Sequence, residues 1–286
     1  MSTVSGKTQV VGIIGNPVKH SLSPAMHNAA FAACDLDYVY VPFFVTPENL
    51  GNAISGLKAL GVCGFNVTIP YKTDIIPHLD YLDQTAEEAG AVNTVLIKDG
   101  KMIGHNTDGD GLVCSLAEDL DFIPGDGTVM LIGAGGAARG AIAALCRAKS
   151  QRIIVTNRSV DKANALKLDM NRIYPEVCID VINANELNKS ALSTVTLLVN
   201  TTSIGMNGDK LHFLDLSMLP KSAKIYDMVY SPPITPLLYE ASEIGMLVSN
   251  GLGMLAAQGE LAFNIWTGIT PPKGYMKRVL EGLCGS

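Results

Sequence analysis

In "GFNVTIPYK", residues 64–72, Asn66 and Thr68 share one face of a short apolar strand, Pro70 stops its ladder, and Lys72 follows. An amide, a hydroxyl and an ammonium are presented together at one strand end, although most lysines in such a place are simply solvated loop residues. A second group lies in "NPVKHSLSPAMHNAAF", where Ser21 and Ser23 precede Pro24. Proline suits the first turn of a helix and Ser23 suits its N-cap. A helix N-terminus carrying two hydroxyls could also hold a small carboxylate, and capping alone leaves Ser21 unexplained. In the third group, Asp99-Gly100 separates "AVNTVLI" from "KMIGHNT" and signals a two-residue hairpin turn. Residues whose numbers sum to 199, as 99 and 100 do, then face each other. Asn93 falls opposite Asn106, and Asp108, two residues on, meets Asn93 at the end of the hairpin. Asp108 also suits the N-cap of the following helix, a part that Asp110 could take instead.

The fourth group points to a nucleotide. "VMLIGAGGAARGA" is an apolar strand running into Gly133-x-Gly135-x-x-Ala138 and a helix. Gly133 permits the tight turn, and Gly135 lets the backbone approach a pyrophosphate attracted by the helix N-terminus. A second strand, "RIIVT", follows the helix, the context that a dinucleotide-binding turn needs. It ends in Asn157-Arg158-Ser159. An acid there would hold the ribose hydroxyls of NAD, whereas Arg158 suits a 2′-phosphate.

The elements needed to hold these groups are also visible. "QVVGIIG", a helix after "SLSP", "YVYVPFFV", a helix near 47–60 and "VCGFNVTI" alternate strand with helix, which implies a largely parallel sheet before the hairpin. Leu112, Val113, Leu116 and Leu120 mark one face of a helix. "FIPGDG" reads as a loop and a boundary, after which four strand-plus-loop segments begin with "TVMLIGAGG" and end with "KIYDMVYSPP". "GMLAAQGELAFNIWTG" reads as an amphipathic helix stopped by Gly268.

The 286 residues leave room for two domains, and 48% hydrophobic with only 17% charged residues suits an α/β protein with buried parallel strands. A net charge of −6 gives no general affinity for phosphate backbones, so no nucleic-acid partner is expected. The six cysteines are scattered without CxxC spacing, as for thiols in a reducing compartment. The start "MSTVSGKTQVVGIIG" lacks a signal pattern, and the most apolar stretch, near 129–146, carries Arg139 and several glycines. No membrane partner and a cytoplasmic setting are therefore expected. His20, His27, His78, His105 and His212 show no ligand spacing, and no metal is expected.

"SLSP", "GFNVTIPYK", "AGAVNT", "NTDG", "GAGGAAR", "NRS", "YDMVYSPPITPLL" and "GMLAAQGELAFNIWTG" follow one another in this order. With them the chain resembles the shikimate dehydrogenases over nearly its whole length. The resemblance implies an α/β protein of two domains with the active site in the cleft. One would be a substrate-binding domain, 1–108 plus 245–286, and the other a Rossmann-type NADP-binding domain, 109–244. It also implies the reversible, NADP-dependent reduction of 3-dehydroshikimate to shikimate in aromatic amino-acid biosynthesis, by a monomer or homodimer.

Residue by residue, the resemblance assigns Ser21 and Ser23 to the substrate carboxylate. Asn66, Thr68, Asn93 and Gln258 would bind ring hydroxyls or shape the pocket, and Tyr230 would line it near the carboxylate. Lys72 and Asp108 would be the catalytic pair. Hydride delivery to a ketone leaves an alkoxide that needs a proton and nearby positive charge, and an ammonium supplies both. The cofactor would lie against Gly133, Ala134, Gly135, Gly136, Ala137, Asn157, Arg158, Ser159, Lys162, Met228, Gly251, Met254 and the Asn200–Ser203 loop with Thr202. Many NADP-using members carry a second arginine four residues after the first. Lys162 stands there in this chain, keeping the charge and losing the planar fork. Two rivals follow: a quinate/shikimate dehydrogenase using both NAD and NADP, and a non-catalytic dinucleotide-sensing module, which would need neither Lys72 nor Asp108.

Overall fold

The computed structural model describes residues 4–284. The chain divides into two compact units: residues up to Gly111 together with those from Leu255 on, and Leu112–Met254. The first unit holds β1 (Gln9–Gly15), α1 (Ser23–Ala33), β2 (Tyr38–Phe44), α2 (Leu50–Ala59), β3 (Gly64–Val67), β4 (Tyr81–Leu82), α3 (Gln84–Ala89), β5 (Thr94–Lys98) and β6 (Lys101–His105). Its sheet runs β2-β1-β3-β5-β6-β4. β1 pairs in parallel with β2 and β3, while β3/β5 and β5/β6 are antiparallel.

The strands before the hairpin are parallel, as expected, and the hairpin strand β5 adds the antiparallel pairs that make the whole sheet mixed. Asp99 and Gly100 both take positive φ, 51° and 70°, the turn whose twist matches that of the strands it joins. Thr94 pairs with His105 and Lys98 with Lys101, the register expected from the turn.

The start of α1 differs from expectation. Its N-cap position is Leu22, with no side-chain capping bond, and Met26 N donates to Leu22 O at 3.1 Å. Ser23 is therefore inside the helix, not its cap. Pro24 tolerates the shift because first-turn amides have no intrahelical partner to lose. Ser21 Oγ accepts instead from Ser23 N at 3.3 Å.

The second unit follows from α4 (Asp108–Leu120), within which the division of the chain falls. It continues through β7 (Thr128–Ile132), α5 (Gly136–Arg147), β8 (Arg152–Asn157), α6 (Val160–Ile173), β9 (Cys178–Asn183), α7 (Lys189–Leu192), β10 (Val195–Asn200), β11 (Lys224–Asp227), α8 (Pro236–Glu243) and β12 (Val248–Asn250). Its sheet runs β12-β11-β10-β7-β8-β9 with every pair parallel. Counted from β7, this is the doubly wound order 3-2-1-4-5-6, whose direction of winding reverses between β7 and β10. All five residues of β7 are buried, as a strand covered on both faces requires. Val129 and Leu131 pack with Leu112, Leu116 and Leu120 of α4 and with Ala141, Ile142 and Leu145 of α5. Met130 and Ile132, on the opposite face by strand alternation, pack with Leu237, Leu238 and Ala241 of α8.

These cores move the expected boundaries. The apolar face of α4 belongs to the second core, so the unit starts at Leu112 rather than 109, and "FIPGDG" lies inside it. β12 pairs in parallel with β11 and completes the second sheet, so that unit runs to Met254 rather than 244. The chain then continues through α9 (Leu252–Thr267), closed by Gly268 at φ 70° as expected, to α10 (Tyr275–Cys284). Among the described residues, no helix is long and apolar enough to cross a membrane.

Candidate active site

Past Pro70, backbone bonds from Tyr71 N to Thr68 O (3.0 Å) and from Val92 N to Lys72 O (2.7 Å) fix the main chain at Lys72. The buried Tyr71 anchors the same turn, its hydroxyl donating to Val45 O at 2.6 Å. The Lys72 side chain is free of that task. Its Nζ donates to Asp108 Oδ2 at 2.6 Å, and the two side chains stay 34% and 25% exposed. The ion pair is therefore fixed in place yet reachable by a small molecule.

Asp108 does not cap α4. Gly111 N bonds to Thr107 O at 2.9 Å, so the helix opens at Thr107, and the Asp108 carboxylate turns to Lys72 and Asn93 instead. Asn93 Nδ2 donates to Asp108 Oδ1 at 2.8 Å, the meeting expected from the hairpin register. Asn93 is 3% exposed, and its Oδ1 accepts from Thr107 N and Thr94 Oγ1 at 2.9 and 3.0 Å. Gln258, on α9, presents Oε1 to Asn93 Nδ2 at 3.4 Å while Nε2 donates to Leu255 O at 2.9 Å. This approach depends on Gly111, where a Cβ would lie 2.8 Å from Gln258 N.

Asn66 extends the network. Its Nδ2 donates to Asn93 O and Thr94 Oγ1 at 3.0 and 2.9 Å, and its Oδ1 accepts from Tyr40 Oη at 2.8 Å. Tyr40 is buried, which pushes its phenol pKa well up and keeps it a neutral donor, and the Ser23 side chain lies beside it. Tyr40, Asn66, Asn93, Gln258, Asp108 and Lys72 thus form one contiguous polar network within the first unit. Thr68 lies beside it, half-buried, with its N donating to Ile14 O at 3.0 Å and its methyl packed over Gly15. Ser21 is half-buried at the start of α1.

In the second unit, the other expected residues gather at the carboxyl ends of the strands. Gly133 follows β7 at φ 115°, where a Cβ would lie 2.6 Å from Thr201 Oγ1 and 2.9 Å from Thr202 Cγ2. No residue with a side chain fits there. Gly135 is the N-cap residue of α5, with no side chain to satisfy the first amides, and nothing lies within 4 Å of a Cβ built at Gly135 or Gly136. With Ala137, these residues are exposed, and Ala134 packs on the core beneath. An open helix N-terminus lined by backbone amides is suited to phosphate. Asn157 Nδ2 donates to Ser159 O at 2.9 Å, and Ser159 caps α6 by accepting from Lys162 N. That turn leaves Arg158 and Lys162 exposed at the end of β8. Thr202 Oγ1 donates to Asn200 Oδ1 at 2.7 Å, Met228 N to Asn200 O at 3.0 Å, and Gly251 packs against the Met228 backbone. Met254 packs on the core, and Tyr230 is half-buried after β11.

Three supports were missed by sequence reasoning. Thr94 and Thr107 sit inside quoted motifs, and a count of unsatisfied Asn93 donors and acceptors would have pointed to them. Tyr40 gave no signal, because it is one of several β-forming residues in an alternating strand.

A family model described as the shikimate dehydrogenase substrate binding domain matches residues 13–95. One described as shikimate / quinate 5-dehydrogenase matches residues 120–224, and one described as the shikimate 5'-dehydrogenase C-terminal domain matches residues 251–281. The chain is 52% identical over 279 residues to the shikimate dehydrogenase (NADP(+)) of Geobacter sp. (strain M21), covering 97% of this chain and 96% of that one. A crystal structure of a shikimate dehydrogenase in complex with NADP+ matches with a TM-score of 0.90 at 42% identity, over 99% of this chain and 98% of the other. The Thermus thermophilus enzyme in complex with NADP(H) and shikimate matches with a TM-score of 0.84 at 33% identity, over 96% and 99% of the two chains. The chain belongs to the shikimate dehydrogenase family.

Proposed function

We propose that this protein is an NADP-dependent shikimate dehydrogenase, reversibly reducing 3-dehydroshikimate to shikimate in the biosynthesis of aromatic amino acids. The observation that carries this reading is the accessible Lys72–Asp108 pair at 2.6 Å, tied through Asn93 into the polar network of the first unit. A dinucleotide-sensing module would have no use for that pair. The second unit fits the cofactor: the open N-terminus of α5 at Gly135 and Gly136 suits a pyrophosphate, and the exposed Arg158 and Lys162 suit a 2′-phosphate. NADPH, when bound, supplies the hydride.

The chain's own residues do the rest. The Lys72 ammonium stabilises the negative charge as it develops on the substrate oxygen and then gives that oxygen a proton, leaving a neutral amine. In the reverse direction the same amine takes the proton back. Asp108 orients the ammonium and accepts from a neighbouring ring hydroxyl, with Asn93 fixing its other oxygen. Asn66, Thr68 and Gln258 shape the pocket around the ring. Ser21 and Ser23, at the positive end of α1, hold the carboxylate. Six free thiols support a reducing, cytoplasmic setting, where the protein would act as a monomer or homodimer.

Lys72→Ala tests the reading. Loss of a positioned proton donor should lower kcat for shikimate oxidation by about 10²–10⁴-fold. KM for shikimate and NADP should change far less. Turnover within about twofold of the parent would remove Lys72 from the chemistry.

A further inference from the structure

Asp227, the last residue of β11, is fully buried, and three donors converge on it. Asn200 Nδ2 and Val229 N reach Oδ1 at 2.9 and 3.0 Å, and Thr235 Oγ1 reaches Oδ2 at 2.7 Å. Each donor belongs to a different segment. Asn200 ends β10 and organises the loop after it: its Oδ1 accepts from Thr202 N and Oγ1, and its Nδ2 also donates to Ile204 O at 3.0 Å. Val229 lies in the loop after β11. Thr235 caps α8 by accepting from Leu238 N. With donors on both oxygens, this side chain is bonded as an ionised carboxylate. Burial pushes its pKa up, and the bonds from Thr235, Val229 and Asn200 work against that.

A buried anion costs stability unless it is fully hydrogen-bonded, and apolar residues could fill the same volume without that cost. What a carboxylate adds is direction, because it fixes three donors at once. The segments it fixes border the nucleotide turn. Thr201 Oγ1 donates to Ile132 O at 2.7 Å, directly beneath Gly133, and Met228 lies against Gly251. We propose that Asp227 is a positioning residue for dinucleotide binding, an ionised buried carboxylate that holds the Asn200–Ser203 and Met228–Tyr230 loops in the form that receives NADP. This rests on the dehydrogenase reading above.

The test is NADPH titration by fluorescence, well below the melting temperature of each protein, alongside thermal melts and shikimate turnover by the parent. Asp227→Ala strands three buried donors and should raise the NADPH Kd at least about tenfold. Asp227→Asn keeps one oxygen for Asn200 and Val229, and Thr235→Val removes one donor, so each should raise it about threefold. A purely structural side chain would lower Tm in all three while leaving the Kd unchanged, and that result overturns the inference. If Asp227→Ala does not fold, the other two variants decide: a parental Kd in both overturns it, and weaker binding in both supports it. A parent that fails to bind NADPH overturns both readings. One that binds NADPH but does not oxidise shikimate overturns only the dehydrogenase reading, and the titrations still decide the role of Asp227.

Discussion

His27 and Ser23, one turn apart on α1, meet the same partner, Tyr40, in different ways. His27 stacks on the Tyr40 ring at 4.5 Å with an interplanar angle of 1°, fully buried, and neither ring nitrogen has a hydrogen-bond partner. Burial lowers its pKa from 6.5 to about 3. Between those values the unfolded chain binds a proton that the folded chain refuses. The contribution is therefore complete above pH 6.5 and is lost as pH falls toward 3, at up to about 1.4 kcal/mol per pH unit. Thermal melts of the parent should show Tm falling between pH 6.5 and 5, above the range in which ordinary carboxylates titrate, and His27→Phe should flatten that fall. An identical slope in both proteins would contradict the burial argument. For the serines, Ser21→Ala and Ser23→Ala should each raise KM for shikimate with little change in kcat, because a carboxylate remote from the reacting carbonyl is bound almost uniformly. Since Ser21 Oγ, not Ser23, accepts an amide at the start of α1, the loss of that hydrogen bond, about 1 kcal/mol, belongs to Ser21→Ala. Unchanged KM in both variants would leave only a structural role.

At the scale of elements, what the sequence made legible was local. The Asp99-Gly100 turn set the register of β5 and β6, and that register alone brought Asn93 to Asp108. Gly133 announced the turn after β7, and periodicity announced α4. The start of α1 was misplaced by one residue, because Pro24 is tolerated at either of two neighbouring positions. Tyr40 and Asp227 were invisible because their partners, Asn66 for one and Asn200 and Thr235 for the other, come together only when separate elements pack. The β8–α6 turn carries its own prediction. Arg158 is exposed where the 2′-phosphate of NADP is expected, and it has no equivalent partner on NAD. Arg158→Ala should weaken NADP use about tenfold and leave NAD use little changed, as measured by kcat/KM with each cofactor. Lys162→Ala should act the same way but less, since an ammonium lacks the planar fork. Equal losses with both cofactors would place Arg158 elsewhere in the binding scheme.

At the scale of the whole molecule, strand–helix alternation in the first part made the α/β class legible, while the Rossmann-type second domain was expected from the family resemblance. The unit boundaries were harder to read, because they depend on which core buries the apolar face of α4 and on the pairing of β12 with β11. Neither is a local signal. The claim that rests on all these parts is that the chain oxidises shikimate with NADP. Steady-state rates of the parent with shikimate and with quinate, each with NADP and with NAD, test it most directly. Shikimate with NADP should give the highest kcat/KM of the four combinations, at least about tenfold above shikimate with NAD. A preference for quinate, or equal use of the two cofactors, would contradict it.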